Sequence, residues 1–144
     1  MAVHFFSEEV IFVLPKKRVF KKWILDVALT EQKVIGEINY IFTNDTYLLD
    51  VNKKYLNHDY FTDIITFDNC EGNILNGDIF ISIDTVKTNA IQYNVSFDDE
   101  LKRVIVHGVL HLIGYDDKNE DSQNAMRSKE NQFLLLANSK FFIN

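Results

Sequence analysis

A chain of 144 residues suits one domain, ordinarily roughly 100–200 residues, and 47% hydrophobic with 13% aromatic content excludes a disordered chain, which is poor in both. Fifteen Lys and Arg against 21 Asp and Glu give a net charge of −6, which argues against a protein that wraps duplex nucleic acid with a broad basic face. The single cysteine, Cys70, excludes an internal disulfide and fits a reducing compartment.

In chain order, Ala2 to Phe6 and Val10 to Leu14 read as short extended segments. Pro15 is placed to open a helix from Lys16 to Thr30, with Trp23, Ile24 and Val27 along one face. Val34 to Thr43 alternates like a strand. Asn44 or Asp45 can cap a second helix running to about Leu56. Asp63 to Asp68 is β-rich, Gly72 and Gly77 flank a turn, and Asp78 to Ile83 reads as another strand. A helix from Ile83 or Asp84 to Tyr93 follows.

Ser96 then caps a helix over about Asp98 to Ile113, with Asp98, Asp99 and Glu100 complementing the dipole of its first turn. Gly114 ends it. The second half, VIVHGVLHLIG, is apolar nearly all round, which predicts a buried helix. A last helix spans about Glu120 to Leu136. Interspersed strands and helices, with few Gly and Pro, predict one α+β domain over residues 1–144. Its expected form is α/β/α layers around a small mixed sheet, with a metal site at the end of the buried central helix.

The N-terminus, MAVHFFSEEVIFVLPKK, lacks the basic start, long apolar middle and cleavage site of a signal peptide. No apolar run approaches the roughly 18 residues of a membrane span. The expectation is a cytoplasmic protein without a membrane partner or an organic cofactor.

Of four histidines, His107 and His111 share one helix face at i and i+4, and Asp117 follows six residues on, past the turn at Gly114. The string HxxxHxxGxxD can bring three ligands together and leave a coordination position open. Zinc peptidases use this spacing with Glu after the first His as general base. Gly108 stands there instead, which argues against peptide cleavage. Two His and one carboxylate also match the ligand set of iron oxygenases, although no co-substrate site is evident.

HGVLHLIGYDD is similar to the HGxLHLxGYDH signature of the YbeY family, single-strand-specific endoribonucleases of bacterial ribosomal RNA maturation. Asn52 to Tyr55 and Thr62 to Phe67 resemble that family's NxxYRxxDxPTDVLSF segment. Asn76 to Ser82 resembles its LGDIxIS strand, and Met126 to Glu130 its closing helix. The resemblance runs in order from about residue 40 to 135. It implies a metal-dependent hydrolase acting on the 3′ end of small-subunit ribosomal RNA, with roles in ribosome assembly and quality control.

Carried over, His107 and His111 match the first two metal ligands, and Asp117 falls where the family has a third His. Asp116 is the neighbouring alternative. Zinc is the first expectation for the one divalent ion; Asp117 admits Mn or Fe, because a carboxylate suits harder ions. Leu56 stands where the family has Arg, and Phe61 where Pro is usual. Arg103, four residues before His107, is a candidate substitute for that Arg. Asp63, Asp78 and His58 are candidates for proton transfer, and Lys53, Lys54 and Arg103 for RNA binding. Lys16, Lys17, Arg18, Lys21 and Lys22 form a further basic cluster.

Two other readings remain open from sequence. One is a ribosome-assembly factor that binds RNA or protein around a structural metal without cutting. The other is a hydrolase of a different substrate on the same scaffold.

Overall fold

The computed structural model describes residues 2–56 and 62–143. Four strands, β1 (Ala2–Ser7), β2 (Val34–Thr43), β3 (Ile64–Asp68) and β4 (Ile74–Ser82), form one sheet in the order β1-β2-β4-β3. The pairs β1–β2 and β2–β4 are parallel, and β3 runs antiparallel to β4. The helices are α1 (Lys17–Thr30), α2 (Asp45–Leu56), α3 (Ile83–Gln92), α4 (Phe97–Ile113) and α5 (Glu120–Leu136), followed by a π-helical turn at Ala137–Phe141.

The strand period of two sends alternate side chains to opposite faces. Ile79 and Ile81 of β4 meet the larger core, which holds Trp23 and Val27 of α1, Ile105 and Val109 of α4, and Phe133 of α5. Between them, Phe80 faces the other way, toward Leu48 and Val51 of α2 and Ile65 of β3. This is the expected α+β layering around a mixed sheet. Among the described residues, no helix is long and apolar enough to cross a membrane.

Buried polar groups tie the layers together. The Tyr40 hydroxyl donates to the Ile105 carbonyl at 2.8 Å, and the Trp23 indole N–H donates to the Phe133 carbonyl at 3.0 Å. Such groups need partners, because an unpaired polar atom in the core costs about 1–3 kcal/mol.

The β2, α2, α4 and α5 spans agree with their sequence patterns to within a residue. Val10 to Leu14 does not form a strand. Glu9 adopts φ 59°, and the Ser7 hydroxyl donates to the Phe12 carbonyl, bending the segment into a loop that still buries Leu14. α1 begins one residue late because Lys16 is left-handed, φ 55°. β4 begins at Ile74, not Asp78: the turn sits at Gly72, φ 59°, and Gly77 lies inside the strand, facing the Phe67 carbonyl too closely for any Cβ.

Candidate metal centre and cleft

α4 is the element that makes the site. Ser96 accepts the Asp99 N–H at 3.1 Å and starts the helix. Gly108 sits against the sheet, where an added Cβ would lie 2.8 Å from Ile79 Cγ2 and 3.1 Å from Ile64 Cδ1. The residue missing from the peptidase pattern is therefore the one that lets α4 approach β4. With Gly108 turned to the sheet, His107 and His111 fall on the flank that opens to solvent.

Gly114, φ 126°, ends α4, a conformation that favours glycine. The chain then doubles back. The Tyr115 hydroxyl donates to Glu31, which also takes Lys129 at 3.0 Å. Asn119 and Ser122 form a reciprocal cap on α5. Pinned at both ends, the loop returns Asp117 to the histidines. Asp116 turns away, its carboxylate accepting the Lys118 N–H at 3.2 Å.

Ligand atoms of His107, His111 and Asp117 lie within 4.8 Å of one another. Asp117 Oδ2 is 3.6 Å from His107 Nε2 and 3.9 Å from His111 Nε2. Ligands about 2.0–2.2 Å from a tetrahedral ion stand roughly 3.3–3.6 Å apart, so small side-chain shifts suffice to hold one. His107 Nδ1 meets Glu130 Oε2 at 2.7 Å. A carboxylate behind a ligating imidazole is the usual orienting partner. Arg103 holds the other Glu130 oxygen at 2.7 Å and the Asn131 side chain at 2.9 Å.

The electrostatics favour a cation. Burial alone would pull His107 down, but the Glu130 hydrogen bond and charge, with Asp63 and Asp117, leave its pKa above the ordinary 6.5. Burial and His107 lower His111, keeping a neutral ligand. Burial raises Asp63 despite the charge of His107. Glu130 is held low: burial opposes this, and hydrogen bonds with His107 and Arg103 overcome it.

These three side chains line a cleft of about 890 Å³, lined also by Asp63, Glu100, Arg103, Arg127 and Glu130. A second recess of about 320 Å³ opens beside His111 and is lined by Leu56 and Thr66. Leu56 thus presents hydrocarbon to the recess that His111 also lines.

Of the other sequence candidates, Arg103 and Asp63 line the cleft. Asp78 lies within the sheet and accepts the Asn39 side-chain N–H at 3.0 Å. Lys53 lines a separate recess with Tyr47 and Asp50, and Lys54 pairs with Asp50 at 3.1 Å. None of the five basic residues around the start of α1 lines the cleft. His58 and Phe61 fall outside the described residues.

Glu130 was not legible as a site residue, since it is 23 residues from His107 and only helix packing joins them. Its trace is a helical stripe, Arg127, Glu130, Leu134 and Asn138, all on the cleft. Glu100 reads in sequence as a first-turn dipole acid but is buried, 6% exposed.

The sequence model of the family described as Endoribonuclease YbeY matches residues 8–138. A Bacteroides fragilis protein named endoribonuclease YbeY is 50% identical over 136 residues, 94% of this chain and 98% of its own length. Its namesake from Porphyromonas gingivalis is 44% identical over 134 residues, covering 93% and 89%. One from Flavobacterium johnsoniae is 50% identical over 131 residues, covering 91% and 94%. A Thermotoga maritima protein solved in solution shares the fold at TM-score 0.66 and 23% identity, covering 92% of this chain and 87% of that one.

Proposed function

The chain belongs to the endoribonuclease YbeY family, and on that premise we propose that it cuts single-stranded ribosomal RNA, maturing the 3′ end of the small-subunit RNA during ribosome assembly in the cytoplasm. The observation that carries this reading is the convergence of His107, His111 and Asp117 at the end of an open cleft. These residues hold one divalent ion, zinc first. Asp117 makes Mn or Fe competitive, because one carboxylate lowers the charge of a divalent site from near +2 to near +1.

When bound, that ion supplies Lewis acidity toward a phosphoryl oxygen and lowers the pKa of water. The protein's own groups do the rest. Glu130 accepts the His107 Nδ1–H and so fixes the tautomer whose Nε2 faces Asp117. Arg103 clamps the other Glu130 oxygen and presents its remaining N–H donors to the cleft. Asp63, under-solvated in the same cleft, takes a proton from the attacking oxygen in this reading.

Elemental analysis of protein purified without added metal tests the ion: about one zinc per chain is expected, and none, or another metal in its place, contradicts the zinc assignment. Deleting the gene tests the substrate. Accumulation of small-subunit RNA with an immature 3′ end, rescued by the wild type and not by His111→Ala, is the expected result. Normal 3′ ends in the deletion strain would sink the ribosomal assignment.

A further inference from the structure

The cleft changes chemistry as it runs along α4 away from the histidines. Glu100 lies seven residues before His107, about 10 Å along the helix axis. It is 6% exposed and lines the cleft. No hydrogen bond among the described residues reaches its carboxylate, whose oxygens open on the cleft. A carboxylate without donors from the protein takes its hydrogen bonds from whatever occupies the cleft. Burial, Asp63 and Glu130 raise its pKa, against the pull of Arg103 and Arg127. Tyr93 is 58% exposed and lines the same cleft.

We propose that this end of the cleft is a nucleobase subsite, in which Glu100 accepts both N–H donors of a guanine Watson–Crick edge and the Tyr93 ring gives the base a stacking face. The inference rests on the chain being an RNA-cutting enzyme. An ionised carboxylate is acceptor-only with two oxygens. Among RNA bases only guanine offers two adjacent donors on that edge, N1–H and N2–H. A phosphate is disfavoured beside Glu100, with Asp63 and Asp99 lining the same cleft. A lysine from a protein partner would meet Arg103 and Arg127 in the same cleft. Stacking of a base on an exposed aromatic contributes about 1–3 kcal/mol and needs no particular base, so Tyr93 supplies affinity and Glu100 the choice.

The test uses labelled single-stranded uridine pentanucleotides with a central guanosine, inosine or adenosine, bound in the presence of chelator so that nothing is cut. Inosine keeps N1–H and lacks the N2 amino group. Fluorescence anisotropy should show guanosine bound roughly tenfold tighter than adenosine, with inosine between them. Glu100→Gln should erase the ranking, and Tyr93→Ala should weaken all three alike. Glu100→Gln melts no lower than the wild type, since the amide leaves no unpaired charge. Cleavage of a random single-stranded RNA pool gives a second readout: guanine enriched at a fixed offset from the cut, and the enrichment lost in Glu100→Gln. Cutting with no base enrichment, or a guanine preference that survives Glu100→Gln, overturns the subsite and leaves the endoribonuclease reading standing. Absence of both binding and cutting overturns the two together. A lysine-rich peptide that binds and is lost in Glu100→Gln would reassign the pocket to a protein partner.

Discussion

Glu130 is the side chain that would orient His107 in the proposed metal site. It holds His107 on one oxygen and Arg103 on the other. Carboxylates in this position are worth 10–100-fold in metal affinity. Glu130→Ala should therefore weaken metal binding by about that factor, read by competition with a chromogenic chelator. An unchanged affinity would mean that His107 needs no such support. Leu56 invites the opposite experiment. It opens on the recess beside His111 as hydrocarbon, so Leu56→Arg should add a phosphate contact. RNA affinity should rise roughly tenfold, the low end of the about 1.5–3 kcal/mol of a charged hydrogen bond. A loss of affinity would show that the recess does not receive RNA.

Glu31 acts on the same site from behind. Burial pushes its carboxyl up, but the Tyr115 hydroxyl and Lys129 outweigh this and hold it below 4.5. An acid whose folded pKa is depressed contributes stability above its unfolded pKa and loses it as pH falls through the folded value. The stability gap between the wild type and Glu31→Gln should therefore be full at neutral pH and close below about 4.5. A gap that persisted through acid titration would mean that the charge is not what holds Tyr115.

At the scale of elements, α4 carries two demands at once. It must press against β4 and must turn two histidines outward, and Gly108 satisfies both. A helix-interior glycine costs about 1 kcal/mol against alanine, yet alanine here would drive a methyl into Ile79. Overpacking typically costs 1–3 kcal/mol, so Gly108→Ala should lower stability in denaturant by about 1 kcal/mol net. A stabilised variant would show that α4 has room to move. The helices with strong periodicity and a cap, α4 and α5, were legible in sequence because local chemistry sets their ends. The Val10 to Leu14 loop was not, because its apolar residues suit a strand or a core-filling loop equally, and only the left-handed Glu9 decides. Likewise His107, His111 and Asp117 lie within eleven residues and announce themselves. Glu130 and Glu100 depend on how α5 and α3 pack on α4, which no local pattern records.

For the whole molecule, the net charge of −6 becomes a matter of placement. The cleft carries Asp63, Asp99, Glu100, Asp117 and Glu130 against Arg103 and Arg127, while the lysines at the start of α1 lie elsewhere. RNA should therefore be held by few phosphate contacts. With about two or three neutralised, the slope of log affinity on log salt should be near −2 for a single strand. A slope several times steeper would require a basic track outside this cleft. The proposed site makes internal cleavage of RNA depend on His107, His111 and Asp117 together. The most direct measurement is cleavage of a circular single-stranded RNA, which only an endonuclease can open, by wild type, wild type with chelator, and His111→Ala. Linear product is expected from the wild type alone, and from the chelated sample once metal is added back; equal cutting by His111→Ala would show that the proposed site does not carry the cleavage.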